Sequence, residues 1–302
     1  RRMYMDTNIL LENGTNELEV LEFTVGGRSY GINVAKIREI IAYMPVTPVP
    51  NAHQFVEGIF MPRDIVITAI DLAKVLGIPA EHKSTDMMII TNFNKLNIAF
   101  HVDAVSGIHR VSWADIITPD STINTSDAGL STGIIKMGSK LIIILDFEKI
   151  VTDISPETGL KVSEIDRLGV RERSDSPILI AEDSPLLRKL IEDSLHKAGY
   201  VTVISTENGQ QAWEKLTEYK KAGKAKEKVH CIITDIEMPL MDGHRLTKLV
   251  KSDEELKSIP LVIFSSLIND EMRIKGQALG ADAQLTKPEI GNLVQTIDEL
   301  ID

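Results

Sequence analysis

The stretch Cys231-Ile232-Ile233-Thr234-Asp235-Ile236-Glu237-Met238-Pro239-Leu240-Met241-Asp242-Gly243 decides how this chain is read. An apolar run over 229–233, interrupted only by His230, leads straight into Thr234 and Asp235. Pro239 and Gly243 follow, so the chain turns sharply soon after the acid. A short buried strand delivering a carboxylate to its C-terminal end is the structure this pattern predicts. In open α/β sheets those strand ends are where ligands and reacting groups gather. A carboxylate there can be a nucleophile, a metal ligand or a helix cap, and this stretch alone leaves all three open.

Outward from it, residues 177–302 alternate apolar strands with amphipathic helices. Strands are expected at 178–181, 200–204, 229–234, 261–265 and 283–286. Helices are expected near 185–197, 209–220, 244–251, 270–279 and 290–301, with Gly199 and Gly280 at helix C-caps. Such alternation predicts a doubly wound five-stranded parallel sheet with helices on both faces. In it, Glu182-Asp183, Thr234-Asp235, Ser265-Ser266 and Lys287-Pro288 all end strands on one edge. Singly these are weak signals: Ser184 reads as an N-cap, and a Lys-Pro pair is usually a loop. Together they place three carboxylates, a hydroxyl and an ammonium around one cleft.

Three carboxylates that close repel one another unless a cation intervenes, and a hard ion such as Mg2+ suits an all-oxygen site. With the charge balanced, Asp235 can attack a phosphoryl group to give an aspartyl phosphate, with Lys287 and Ser265 clamping the phosphoryl oxygens.

This half closely resembles the response-regulator receiver family, with a flavodoxin-like fold. The likeness rests on Glu182-Asp183, Thr234-Asp235-Ile236-Glu237-Met238-Pro239, Met241-Asp242-Gly243, Ser265-Ser266 and Lys287-Pro288. The resemblance implies that Asp235 accepts phosphate from a histidine kinase. It implies that Glu182, Asp183 and Asp235 hold Mg2+ with the backbone carbonyl of Glu237, and that Ser265 and Lys287 meet the phosphoryl group. Where many family members carry an aromatic switch residue, this chain has Gln284, so an aromatic ring flip is not its readout.

Residues 18–150 have a different texture. Glu and Thr alternate with apolar residues over 18–25, Gly26-Gly27 marks a turn, and a strand resumes over 28–32. Further strands are expected at 58–60, 64–70, 87–92, 97–102, 107–111, 133–137 and 140–145, and short helices at 34–40, 71–76 and 146–151. Many short strands separated by Gly and Pro predict small barrels. No catalytic grouping emerges. His53, His82, His101 and His109 have neither a zinc-ligand spacing nor a cysteine partner, and no serine sits in a hydrolase elbow.

This half resembles the CheW-like chemotaxis coupling family through Tyr30-Gly31-Ile32-Asn33-Val34, Ile37-Arg38-Glu39-Ile40 and Val46-Thr47-Pro48-Val49-Pro50. The likeness continues through Phe55-Val56-Glu57-Gly58-Ile59, Arg63, Ala69-Ile70-Asp71-Leu72 and Val102-Asp103-Ala104-Val105. It implies two five-stranded SH3-like barrels that dock a chemotaxis histidine kinase and chemoreceptor tips, with Glu39 and Arg63 at partner contacts. The family's usual Asn-Leu-Arg-Gly reads Met61-Pro62-Arg63-Asp64 here.

The expected organisation is a coupling domain over 18–154, a polar linker over 155–176 with a short helix near 162–168, and a receiver over 177–302. That order matches the coupling–receiver hybrids of chemotaxis, the CheV family. The expected function is a signalling adaptor regulated by, or draining, phosphate carried on Asp235.

Charge and composition narrow the alternatives. The net charge is -11, and the halves share it: residues 1–176 carry 17 Lys and Arg against 23 Asp and Glu, and residues 177–302 carry 16 against 21. Neither half has the basic excess that phosphate-backbone binding demands, which speaks against nucleic acid and a transcriptional output. The single cysteine, Cys231, cannot form an internal disulfide, no apolar run reaches a membrane span, and Arg1-Arg2 is too short a charged region for a secretory signal. A cytoplasmic protein without membrane insertion, recruited to receptor arrays, is expected. An Mg2+-dependent phosphatase of haloacid-dehalogenase type would want Asp-x-Asp, which Asp235-Ile236-Glu237 only approximates. A receiver that is never phosphorylated and serves only as a scaffold is the remaining alternative.

Overall fold

A computed structural model of the chain describes residues 16–79, 81–93, 96–117, 129–156, 160, 162–268 and 270–301. Arg1 and Arg2, and positions 157–159 and 161 of the expected linker, fall outside the described residues. The chain forms two compact units, Leu18–Thr158 on the one hand and Gly159–Asp302 with Arg1–Glu17 on the other.

The first unit holds two five-stranded sheets. One is built from β1 (Glu17–Val25), β2 (Arg28–Asn33), β8 (Ala104–Ser112), β9 (Ser131–Met137) and β10 (Lys140–Leu145), in the order β8-β1-β2-β10-β9. The other uses β3 (Ile37–Ala42), β4 (Val56–Phe60), β5 (Ile67–Asp71), β6 (Met87–Phe93) and β7 (Leu96–Val102), in the order β3-β6-β7-β5-β4. The β1–β2 hairpin turns through Gly26 and Gly27 at φ 56° and 73°, a pair of left-handed positions that glycine adopts without steric cost.

Strand β1 shows how the sequence builds both cores. Its side chains alternate between faces, so Leu18 and Val20 pack with Ile116, Ile135, Ile142 and Ile144. Leu21, Phe23 and Val25 face the other way, into a core shared with Ile70, Ile89, Phe100 and Phe147. Two short helices complete the unit, α1 (Leu72–Val75) and α2 (Phe147–Ile154). Each is started by an aspartate whose side chain accepts a backbone N–H, Asp71 from Lys74 at 3.1 Å and Asp146 from Lys149 at 2.9 Å.

One element differs from expectation. The helix predicted over 34–40 is only a 3-10 turn, Val34–Lys36, followed by strand β3. The apolar spacing of Val34, Ile37, Ile40 and Ile41 fits a helix. Antiparallel pairing of β3 with β6, Ile40 opposite Ile89 and Ile41 opposite Met88, overrides it.

In the second unit the strands are β11 (Ile178–Ala181), β12 (Val203–Thr206), β13 (Cys231–Thr234), β14 (Leu261–Phe264) and β15 (Ala283–Leu285). They pair in parallel in the order β12-β11-β13-β14-β15, the flavodoxin-like winding. Helices α3 (Pro185–Lys197), α4 (Gly209–Lys221), α5 (Ala225–Lys228), α6 (Gly243–Ser252), α7 (Asp270–Ala278) and α8 (Ile290–Ile301) connect and close them. All residues of β11, β13 and β14 are buried, as expected for central parallel strands covered on both faces. Gly199 and Gly280, at φ 101° and 89°, end α3 and α7.

Strand β12 begins later than the expected 200–204 because the backbone at Tyr200 pairs with Ser174 rather than with β11. Tyr200 is 3% exposed, and its hydroxyl donates to Asp298 Oδ1 at 2.6 Å. The described residues 162–171 of the connecting stretch pack against the second unit. A 3-10 turn, Val162–Leu168, places Ile165 in the core beside Leu195 and Leu293, and Arg171 bridges to Asp298 at 2.6 Å. Among the described residues no helix is long and apolar enough to cross a membrane.

Candidate functional site

The C-terminal edge of the parallel sheet gathers the polar strand ends. Glu182 follows β11 directly, Asp235 follows β13, Ser265 follows β14, and Lys287 lies two residues beyond β15. All four are buried, at 1%, 4%, 1% and 5% exposure, while Asp183 is half-buried. Burying three charges together is tolerated only when they pair. Lys287 Nζ lies 2.7 Å from Asp235 Oδ2 and 3.1 Å from Glu182 Oε2. One oxygen each from Glu182, Asp183 and Asp235 lie within 4.8 Å of one another. Among the described residues this all-oxygen group is one of two that could hold a metal ion, and its donor set fits a hard dication such as Mg2+.

The remaining bonds fix the carboxylates. Asp235 Oδ1 accepts the Ile236 N–H at 2.7 Å, and Glu182 Oε1 accepts the Ser184 N–H at 3.2 Å. Ser184 itself caps α3, accepting the Leu187 N–H at 3.3 Å. Arg188 reaches back from α3 to the Glu182 carbonyl at 2.6 Å. Ser265 stands on the same edge, its hydroxyl accepting the Leu267 N–H at 3.3 Å. Glu237 is half-buried in the turn after Ile236.

That turn assigns the capping role to the third acid of the opening stretch. Asp242, not Asp235, caps α6, accepting the Arg245 N–H at 2.6 Å, and burial pushes its carboxyl pKa up. Leu240 stands at φ 65° in the middle of the turn. Asn16, which groups with this unit, braces it by donating to the Leu240 carbonyl at 2.9 Å and accepting the Asp242 N–H at 3.0 Å. The neighbouring His244 is 2% exposed, and burial drives its pKa to about 3, so it packs as a neutral ring. Burial likewise raises the Cys231 thiol to about 12, which makes it an inert core residue.

Gln284 lies on β15, its side-chain amide donating to the Arg273 carbonyl on α7 at 2.8 Å. A Cβ on Gly276 would stand 2.4 Å from the Gln284 amide oxygen, so the amide rests directly on the helix.

In the first unit, Glu39 Oε1 and Arg63 form an ion pair at 2.9 Å, with side chains 27% and 68% exposed. Arg63 and Asp64 stand at φ 56° and 63°, so the altered Met-Pro-Arg-Asp turn holds two non-glycine residues in the left-handed region.

Matches to known proteins follow the same division. Residues 19–155 match the CheW-like domain and residues 178–298 the response regulator receiver domain. Chemotaxis protein CheV3 of Helicobacter pylori is 30% identical over 303 residues, covering 95% of this chain and 96% of that protein. The chain belongs to the CheV family. CheV2 of the same organism is 28% identical over 297 residues, covering 91% of this chain and 92% of that protein. The chemotaxis protein CheW of Thermotoga maritima is 32% identical over 152 residues, half of this chain and 98% of that protein. As a CheV-family member, the chain is a chemotaxis coupling adaptor with a receiver domain, in which regulation runs through phosphorylation. CheW-like domains couple chemoreceptors to a histidine kinase, and receiver domains use Mg2+ for phosphorylation.

The fold also assembles residues that spacing leaves apart. His82, Asp86 and His101 come together in the coupling domain, although nothing in their sequence separation marks them as a group. Only the pairing of β6 with β7 and the loop before β6 bring them close.

Proposed function

We propose that this protein adjusts the coupling of chemoreceptors to their histidine kinase through phosphorylation of Asp235. The organisation is a coupling domain over 18–154, a connecting segment over 155–176 and a receiver over 177–302. The observation that carries the reading is the Asp235 carboxylate held 2.7 Å from the buried ammonium of Lys287, beside Glu182 and Asp183.

In the transfer, an Asp235 carboxylate oxygen attacks the phosphorus of a phosphohistidine on the kinase. The new O–P bond forms as the P–N bond breaks. The electron pair leaves on the imidazole nitrogen, which takes up a proton. Lys287 redirects its N–H donors from the carboxylate to the phosphoryl oxygens, and the Ser265 hydroxyl lies on the same edge to accompany it. Glu182, Asp183 and Asp235, with the Glu237 carbonyl, would hold Mg2+, which neutralises phosphoryl oxygens when bound.

Phosphate on Asp235 then either changes how the coupling domain engages kinase and receptor or drains the kinase. Pull-down of kinase and receptor, with and without the phosphate mimic beryllofluoride, separates the two. A change in captured partner on adding the mimic supports regulated docking; unchanged capture with continued phosphate uptake leaves the drain as the function.

The Glu39–Arg63 pair is the proposed partner contact, placing the adaptor at receptor arrays on the cytoplasmic side. An exposed ion pair contributes about 0–1 kcal/mol to folding. Arg63→Ala is therefore expected to leave the melting temperature nearly unchanged while lowering capture of kinase or receptor. Full capture by the variant in both assays would remove Arg63 from the interface.

A further inference from the structure

We propose that the coupling domain carries a second metal site, for a Zn2+-class divalent transition ion, built from His82, Asp86 and His101. One donor nitrogen from each histidine and one Asp86 oxygen lie within 4.8 Å of one another. Donors on a tetrahedral zinc ion, at about 2.1 Å from the metal, stand roughly 3.4 Å apart. Ligation therefore needs the donors to draw together and the exposed His82 ring to turn out of its stack on His101 towards the ion.

The surroundings are those of a metal-binding histidine pair. A ligating imidazole is normally held by a carboxylate on its other nitrogen, which fixes the tautomer and orients the ring. Here each ring has its own. His101 Nδ1 bonds Glu57 Oε2 at 2.8 Å, which leaves Nε2 directed at Asp86 Oδ2, 3.1 Å away. Glu57 is held in turn by the Tyr43 hydroxyl at 2.9 Å. His82 Nε2 bonds Asp71 Oδ2 at 2.9 Å, and Asp71 is anchored as the cap of α1. The Lys83 N–H fixes Asp86 Oδ2 at 2.7 Å.

A buried imidazolium clasped by Glu57 and Asp86 would account for His101 alone. It leaves unexplained the second imidazole, stacked on the first with ring centroids 4.2 Å apart and tethered by a third carboxylate. With both imidazoles neutral, the three carboxylates Glu57, Asp71 and Asp86 outnumber Lys74 by two charges, the charge a bound dication would supply. The burial is graded suitably for entry: the His101 and Asp86 side chains are 1% and 5% exposed, whereas His82 is 37% exposed and can swing onto the ion.

Two imidazoles and a carboxylate favour Zn2+, Ni2+ or Cu2+ over Mg2+. The site is thus chemically distinct from the all-oxygen cleft around Asp235. Three protein ligands leave a fourth position for water or for a group from a partner.

The test uses the full chain, free of any histidine tag, stripped with a chelator and kept in millimolar Mg2+ to occupy the receiver. Calorimetry with Zn2+ is expected to give a single equivalent bound at micromolar affinity or tighter. Co2+ as a probe is expected to give visible absorption of tetrahedral intensity. His82→Ala, at an exposed ring, is expected to weaken Zn2+ binding at least tenfold, and Glu57→Gln, outside the ligand set, is expected to weaken it about tenfold or more. Asp235→Asn is expected to leave Zn2+ binding unchanged. Absence of Zn2+ binding, or binding indifferent to both His82→Ala and Glu57→Gln, would overturn the proposal.

Discussion

Asp235→Asn protein is expected to take up no phosphate from a phosphorylated chemotaxis kinase, whereas the unaltered chain is expected to take up about one equivalent. The expectation rests on how little else the substitution disturbs. Asparagine keeps the size of the side chain and an oxygen to accept the Ile236 N–H, now made at 2.7 Å to Asp235 Oδ1. Lys287 loses its 2.7 Å partner but retains Glu182 Oε2 at 3.1 Å, so the buried ammonium stays paired. A neutral amide is a poor nucleophile, and of the two buried carboxylates paired with Lys287, Asp235 makes the shorter contact, 2.7 Å against 3.1 Å for Glu182. Labelled phosphate transfer followed on a gel reads the result directly, with an unchanged melting curve as the control for folding. Undiminished labelling of the variant would remove Asp235 as the acceptor.

Gly243→Ala is expected to have the largest effect on stability of any single methyl added near the site. A Cβ there would lie 1.8 Å from the Asp235 carbonyl oxygen and 3.0 Å from Thr234 Oγ1. The oxygen belongs to a backbone that cannot yield, because the turn is pinned on both sides: the Gly243 N–H donates to the Ile236 carbonyl at 2.9 Å, and Thr247 Oγ1 donates to the Gly243 carbonyl at 2.7 Å. Glycine is needed here for close approach rather than for an unusual backbone angle. Overpacking of this severity costs about 3 kcal/mol or more. For a unit of this size that is a fall of roughly 10 °C in melting temperature. Calorimetric unfolding checks it; a receiver transition within a degree or two of the unaltered protein would show that the turn relaxes freely.

The second unit was legible because its strands are continuous apolar runs and its chemistry sits at strand ends. Ile178–Ala181 and Pro185–Lys197 emerge where apolar pattern, the Ser184 cap and Pro185 coincide. The same logic gathers Glu182, Asp183, Asp235 and Lys287, because parallel strands bring equivalent ends to one edge. Legibility fails where tertiary pairing competes with local spacing. Ile37–Ala42 carries a helix-like rhythm of isoleucines, yet partnership with β6 makes it a strand. Tyr200 looks like the start of a strand, but its backbone pairs with Ser174 rather than with β11, while its hydroxyl binds Asp298, ninety-eight positions away in sequence. The ring pair of His82 and His101 was beyond reach for a related reason. Their meeting depends on a loop folding over an antiparallel pair, and no period along the chain encodes that.

Lys287 has a mechanical consequence. Its ammonium grips Glu182 and Asp235, which follow β11 and β13, while its own backbone extends from β15 on the sheet's outer margin, with β14 lying between. The grip is a guy-line strung across the end of the sheet, tensioned by the charge on the Asp235 carboxylate. A change in that charge is expected to slacken or re-anchor the line and to be felt at the margin, where Gln284 fastens β15 to α7. On that expectation the edge strand and its helix register, as a change in tension, an event confined to one oxygen near the middle of the fold.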